Sequence, residues 1–218
     1  MLGTLLLVPV LVFLFLMRFG VNNFSLRTYF PTKVDSTLVE GKWQYDTVYH
    51  SVPDFHLLSQ TGEKFSQANL QGDIYVASLF FASCKVDCQQ MNEQLSRVQD
   101  AFRFNPRIKL VSITVDPTRD SLEVLQQYAA RFGAKKDQWF FLTGAKNEIY
   151  ALANNGLQLP VKDIPVDSPD FYHSEKFVLI DKARKIRGIY DGVDPKDVDR
   201  LMTEINVLLA EYENNHGK

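Results

Sequence analysis

Residues 74–88 read IYVASLFFASCKVDC, an almost unbroken apolar run from Ile74 to Phe81 followed at once by Cys84 and Cys88. A run of that length, rich in β-branched and aromatic residues, is the pattern of a strand buried on both faces. Beyond the cysteines, Met91, Leu95, Val98 and Phe102 recur at three- and four-residue spacing, which predicts an amphipathic helix ending near Asn105 and Pro106. The cysteines therefore stand where a buried strand gives way to a helix. Unpaired N–H groups and the dipole at a helix start favour the thiolate form. A separation of four residues puts both sulfurs on one helical face with Cα atoms about 6 Å apart. That spacing permits a disulfide and equally permits chelation of one metal ion.

The rest of the chain extends this pattern in both directions. Ile108 to Val115 is a second buried-type strand, and Asp120-Ser-Leu-Glu123 can cap a helix running through Phe132, with Gly133 just past its end. Trp139 to Leu142 reads as a short strand, Asn147 to Asn154 as a short helix, Lys176 to Asp181 and Ile186 to Tyr190 as paired strands, and Lys196 to Tyr212 as a closing helix. Upstream, Asp54 to Phe65 reads as a small hairpin about the turn at Gln60 to Gly62. Strands alternating with helices imply a three-layer α/β sheet. Roughly 165 residues from Pro53 onward are enough to fold without a metal or disulfide.

The front of the chain is different. All but Gly3, Thr4 and Pro9 of residues 1–17 are hydrophobic and no charge precedes Arg18, whereas the 218-residue chain is 45% hydrophobic and 23% charged. Leu2 to Met17 would span about 24 Å as a helix against roughly 30 Å of hydrocarbon, so crossing needs help from a snorkelling Arg18. The organisation expected is a membrane anchor over 1–20, an aperiodic juxtamembrane linker over 21–52, the α/β domain over 53–213 and a polar tail over 214–218. A cleaved signal peptide is disfavoured because no small-x-small site follows the run and no Lys or Arg precedes it. The net charge of −2 argues against a nucleic-acid partner, and 16 Phe and 9 Tyr argue against disorder.

Several chemistries compete for the cysteine pair. An exported domain can carry it as a structural disulfide. A structural zinc site wants four ligands, and there is no second cysteine pair. Peroxidase chemistry of the peroxiredoxin kind expects Pro seven and Thr three residues before its cysteine, where Ala77 and Phe81 precede Cys84, and Phe81 and Lys85 take the corresponding positions for Cys88. Two thiolates joined by one imidazole would make a soft site suited to Cu(I), and a mixed one able to hold Cu(II).

Taken together, the strand with Cys-x-x-x-Cys at Cys84 and Cys88, the stretch Ser112 to Asp120 (SITVDPTRD), the helix end Tyr128 to Gly133, Leu142-Thr-Gly144, and Tyr172-His173-Ser174 before Phe177 to Asp181 resemble the Sco/SenC copper metallochaperones of cytochrome c oxidase assembly. The resemblance implies a thioredoxin-like fold behind an N-terminal membrane anchor, and copper held by Cys84, Cys88 and His173. It implies as partners an oxidase subunit with a dinuclear copper site, an upstream copper donor and a thiol reductant, all met outside the cytoplasm. The family usually places Pro after each cysteine, where this chain has Lys85 and Gln89; losing both is expected to loosen the loop. His173 on its own reads as a solvated loop histidine, and it lies 85 residues beyond Cys88. Closing such a loop from a free chain costs about 4 kcal/mol, so a preformed fold has to bring it in. Asp116 ends a strand and reads either as a turn residue with Pro117 or as a docking or supporting acid near the metal. His50, His56 and His216 read as structural or solvated, and Arg119 and Asp120 as capping and surface charges. The alternative function is a thiol-disulfide oxidoreductase acting on an oxidase subunit or another exported protein; a third is a binding module with an inert disulfide.

Overall fold

The computed structural model describes residues 8–15, 25–39, 41–84, 86–162 and 174–215. After an exposed helical segment, α1 (8–15), come β1 (Pro31–Val39), β2 (Lys42–Tyr49), β3 (His56–Ser59), β4 (Lys64–Ser66), β5 (Ile74–Phe80), α2 (Asp87–Ala101), β6 (Ile108–Thr114), α3 (Leu122–Arg131), β7 (Trp139–Thr143), α4 (Lys146–Ala151), β8 (Lys176–Ile180), β9 (Ile186–Asp191) and α5 (Pro195–Asn215). Among the described residues no helix is long and apolar enough to cross a membrane. Most of the expected anchor, apart from 8–15, lies outside the described residues.

Among the described residues seven strands form one sheet in the order β4-β3-β7-β6-β5-β8-β9. Every residue of β5 is buried, as its apolar run requires, so both faces of the sheet are covered there. β5 pairs parallel with β6 from Ile74↔Ile108 to Phe80↔Thr114, and β6 pairs parallel with β7. Right-handed crossovers then put α2 and α3 on the same face, where Ser96 of α2 donates to the Phe132 carbonyl at 2.9 Å. α5 packs against α2, with Arg97 and Asp199 paired at 2.6 Å, and α4 lies against β3. On its other side β5 pairs antiparallel with β8 through Tyr75↔Ile180 and Ala77↔Val178. The C-terminal end of β5 and the N-terminal end of β8 therefore lie at the same edge of the sheet. Phe80, Tyr128, Phe141 and Trp139 fill the layer beneath that edge, with ring centroids 5.0 to 5.8 Å apart.

Two local expectations are revised. Helix α3 is capped by Ser121, whose hydroxyl accepts from the Val124 N–H, and not by Asp120, which turns inward. More substantially, the stretch read as an aperiodic linker is ordered from residue 25. Tyr29 N–H donates to Ile186 O at 2.9 Å, and Arg187 donates to Leu26 O at 2.7 Å. β1 and β2 form a separate two-stranded antiparallel ribbon. The period-2 alternation Val34, Ser36, Leu38 and Trp43, Tyr45, Thr47 is present in the sequence, but its apolar members stay on the surface, so the stretch lacks the dense apolar run of a core strand.

Candidate metal centre

The two cysteines differ because of where the helix begins. Buried positions of α2 are Cys88, Met91, Asn92, Leu95, Val98 and Gln99, so Cys88 is the first member of the helix's inward stripe. Cys84 precedes the helix, its N–H bonded to Phe81 O at 3.1 Å, and stays half-exposed. The Cys88 N–H donates to the Cys84 sulfur at 3.2 Å, as helix-start donors do toward an acceptor. Cys88 is 0% exposed, and both residues are thiols. A hydrogen bond to the Cys84 sulfur and then desolvation push the Cys88 thiol far above its ordinary range, against the opposing Phe81 N–H. Cys84 is thus the reachable sulfur and Cys88 the one that keeps its proton.

Beneath the pair, the Asn92 amide donates to Cys88 O at 2.7 Å and to the Tyr128 hydroxyl at 3.1 Å. The Tyr128 phenol is pushed up, first of all by burial. Cys88 belongs to the buried core cluster that includes Tyr128, and Cys84 packs against that cluster, a low-dielectric setting where two thiolates together are costly and a soft cation between them offsets one charge. Among the described residues no third His, Cys, Asp or Glu completes a metal-binding cluster with them.

Gln89, at one of the two positions that the family usually gives to proline, is held by three hydrogen bonds. Its N–H donates to Val86 O at 3.1 Å, its side chain reaches the Cys84 carbonyl at 3.5 Å, and its amide oxygen accepts from Arg131 at 3.1 Å. Lys85 lies outside the described residues.

Asp120, read from sequence as a surface charge, is 2% exposed and fastens the cysteine loop to β6. Its carboxylate accepts the Ala82 N–H at 3.1 Å and a short bond from the Thr114 hydroxyl. Desolvation raises its pKa, with the Thr114 and Ala82 bonds opposing. Asp116 sits at the end of β6, as expected, and is buried. Its carbonyl accepts from the Arg119 and Asp120 N–H groups and its carboxylate pairs with Arg119, which is the turn reading. A lone acid after a strand carries no periodic signal, so only the fold shows that Asp116 and Asp120 are both buried. Asn92 was legible in principle, since it follows Met91 on the helix's buried stripe.

His50 bonds Gly156 O at 2.8 Å, and His56 is an exposed residue 3.8 Å from Glu148. Both fit the structural or solvated reading. His173 and His216 lie outside the described residues. The residue after His173, Ser174, accepts the Lys176 N–H at 3.3 Å just ahead of β8, at the sheet edge that carries the cysteines.

Comparison with known proteins agrees with this arrangement. The SCO1 protein homolog of Bacillus subtilis is 26% identical over 167 residues, covering 76% of this chain and 86% of its own. The solved structure of BsSco, described as a Sco-family cytochrome c oxidase assembly protein with a disulfide switch, is 25% identical with a TM-score of 0.64 over 73% of this chain and 93% of its own. Arabidopsis thaliana ScoI, solved with copper bound, has the same thioredoxin-like fold at 22% identity, with a TM-score of 0.61 over 73% of this chain and 98% of its own. The SCO1/SenC family model matches residues 25–210, which take in the ribbon, the cysteine loop and the whole sheet, and the chain belongs to that family.

Proposed function

We propose that the protein is a copper chaperone of cytochrome c oxidase assembly, holding one copper ion through Cys84, Cys88 and His173 and delivering it to the oxidase's dinuclear copper site. The observation that carries this reading is the pair of thiols just beyond the end of β5, one partly exposed and one buried in the core. The pairing of β5 with β8 supports His173 as third ligand, because β8 begins three residues after it at the same sheet edge. Copper bound to Arabidopsis ScoI and the oxidase-assembly role of BsSco support the cargo and the recipient. Transfer proceeds by ligand exchange: the recipient's thiolates displace Cys84 first, because it is the less buried of the two, and the fully buried Cys88 last. The apolar run at 1–17 supports an N-terminal anchor over 1–20 that keeps the domain, outside the cytoplasm, beside a membrane-embedded recipient. Asp116 is proposed as a turn residue at the rim of this face, its buried carboxylate paired with Arg119 and so in a supporting and not a docking role. Titration of the reduced protein with Cu(I) tests the ligand set. One equivalent is expected to bind, with strong weakening in Cys84→Ser and in His173→Ala; unchanged binding in both variants rejects it.

A second reading, thiol-disulfide reductase, draws on the same asymmetry. Cys84 thiolate would attack a target disulfide and release one target thiolate; Cys88 would then lose its proton and attack the Cys84 sulfur, releasing the second target thiol and leaving a Cys84–Cys88 disulfide. The upstream reductant would restore the pair. Fast disulfide exchange by metal-free protein that is indifferent to His173→Ala would favour this reading over the copper one.

A further inference from the structure

The ribbon β1–β2 has two unlike faces. In its register Val34 faces Thr47, Ser36 faces Tyr45, and Leu38 faces Trp43, so these six side chains share one face. The other face sets Asp35 directly opposite Asp46, with Lys33 bonded to Asp35 at 3.0 Å. Two carboxylates facing each other across a strand pair repel unless water surrounds them, which marks that face as the solvated one. The apolar face is the one in want of a partner, yet Trp43 is 61% and Tyr45 72% exposed, and Val34 and Leu38 are exposed beside them.

Chain length limits what that partner can be. Leu26 is pinned to the domain, its N–H on Glu211 at 3.2 Å and its carbonyl on the buried Arg187 at 2.7 Å. Only residues 18–25 separate it from the apolar run ending at Met17, a reach of at most about 32 Å. The ribbon starts at Pro31, five residues after Leu26, and its 9-residue first strand is about 30 Å long. A chain tethered so closely keeps the ribbon next to whatever holds the apolar run. Trp and Tyr flanked by aliphatic residues are the side chains that settle at the boundary between hydrocarbon and headgroups.

We propose that the β1–β2 ribbon lies in the membrane–water interface, with Trp43, Tyr45, Leu38 and Val34 turned toward the acyl chains and Asp35 and Asp46 toward water. The inference rests on the N-terminal anchor proposed above. It gives the ribbon a function: fixing the domain's orientation to the bilayer, and so the direction in which the cysteine edge faces. Lys33 and Lys42 are balanced by Asp35 and Asp46, so docking depends on apolar insertion and not on anionic lipid.

The full-length protein reconstituted into phosphatidylcholine vesicles provides the test, because its two tryptophans report separately. Trp139 is 0% exposed, whereas Trp43 is on the ribbon. With lipid brominated near the top of the acyl chain, the part of the emission that Trp43→Phe removes is expected to be quenched, equally with and without phosphatidylglycerol. The quenching is expected to fall in a Leu38→Ser, Tyr45→Ser variant whose thermal midpoint is unchanged. Carbonate extraction separates the two readings. Protein that resists extraction while Trp43 goes unquenched overturns the ribbon proposal and leaves the anchor standing. Protein that carbonate removes, but whose Trp43 was quenched before removal, overturns the anchor and leaves the ribbon. Unquenched Trp43 emission that shifts with protein-to-lipid ratio points to a second copy of the chain as the occupant and overturns the proposal.

Discussion

Copper binding should be strongly pH-dependent, and the sign follows from Cys88. Its thiol is 0% exposed, bonded to the Cys84 sulfur, and holds its proton well above the ordinary thiol range. A metal ion seated on Cys88 must displace that proton, so each pH unit of increase is expected to raise the apparent Cu(I) affinity about tenfold, or about 1.4 kcal/mol. Between about pH 6 and pH 8 the gain is therefore about a hundredfold from Cys88 alone. The same proton appears in the stability of metal-free protein. An unfolded thiol ionises near about pH 8.5 while the folded Cys88 does not, so stability is intact below that pH and is lost at about 1.4 kcal/mol per unit above it. Competition against a chromophoric Cu(I) chelator, measured across the pH range on the native chain and on Cys88→Ser, reads the first effect. Urea midpoints from pH 8 to 10 read the second. A flat affinity profile, or a slope that is identical in Cys88→Ser, refutes the assignment of the retained proton to Cys88.

The remaining expectations concern the scaffold around the pair. Alkylation of the native metal-free protein should modify Cys84 well before Cys88, as mass mapping of a single-hit reaction will record; Cys88 reacting first contradicts the burial difference. Asp120→Ala strips the Ala82 N–H and the Thr114 hydroxyl of their acceptor and should cost about 1–3 kcal/mol, while Asp120→Asn keeps an acceptor and should cost less, both read by denaturant unfolding. Arg187 is 6% exposed and holds Asp181, Glu211 and Leu26 O together, so Arg187→Met should cost about 3–5 kcal/mol by stranding buried acids, and should raise proteolysis between residues 25 and 30.

How far the sequence reaches can be judged residue by residue. β5 and α2 were legible because each carries a dense signal: a nearly continuous apolar run of eight residues from Ile74, then Met91, Leu95, Val98 and Phe102 at helical spacing. The cysteine loop was legible for the same reason, since it joins two readable elements. The ribbon was missed because its apolar alternation is diluted by Lys, Asp, Gln and Thr and is never buried, so it lacks the dense apolar run by which the core strands were read. Asp120 was misread because the chain alone does not distinguish a cap from an inward carboxylate; its partners Thr114 and Ala82 come to it only once β5 and β6 are paired. The missing proline at Gln89 was visible, but the contact of Gln89 with Arg131 depends on how α3 packs against α2. That the chain after His173 begins β8 beside β5 is likewise a product of sheet register, a non-local quantity that spacing along the chain does not encode.

X-ray absorption of the Cu(I)-loaded protein addresses the ligand set directly, because it counts the donors on the metal. Two sulfur scatterers and one imidazole nitrogen are expected, with the nitrogen lost in His173→Ala and one sulfur lost in Cys84→Ser. Copper surrounded by nitrogen and oxygen alone, or a spectrum unchanged by both substitutions, would contradict a copper site built on Cys84, Cys88 and His173.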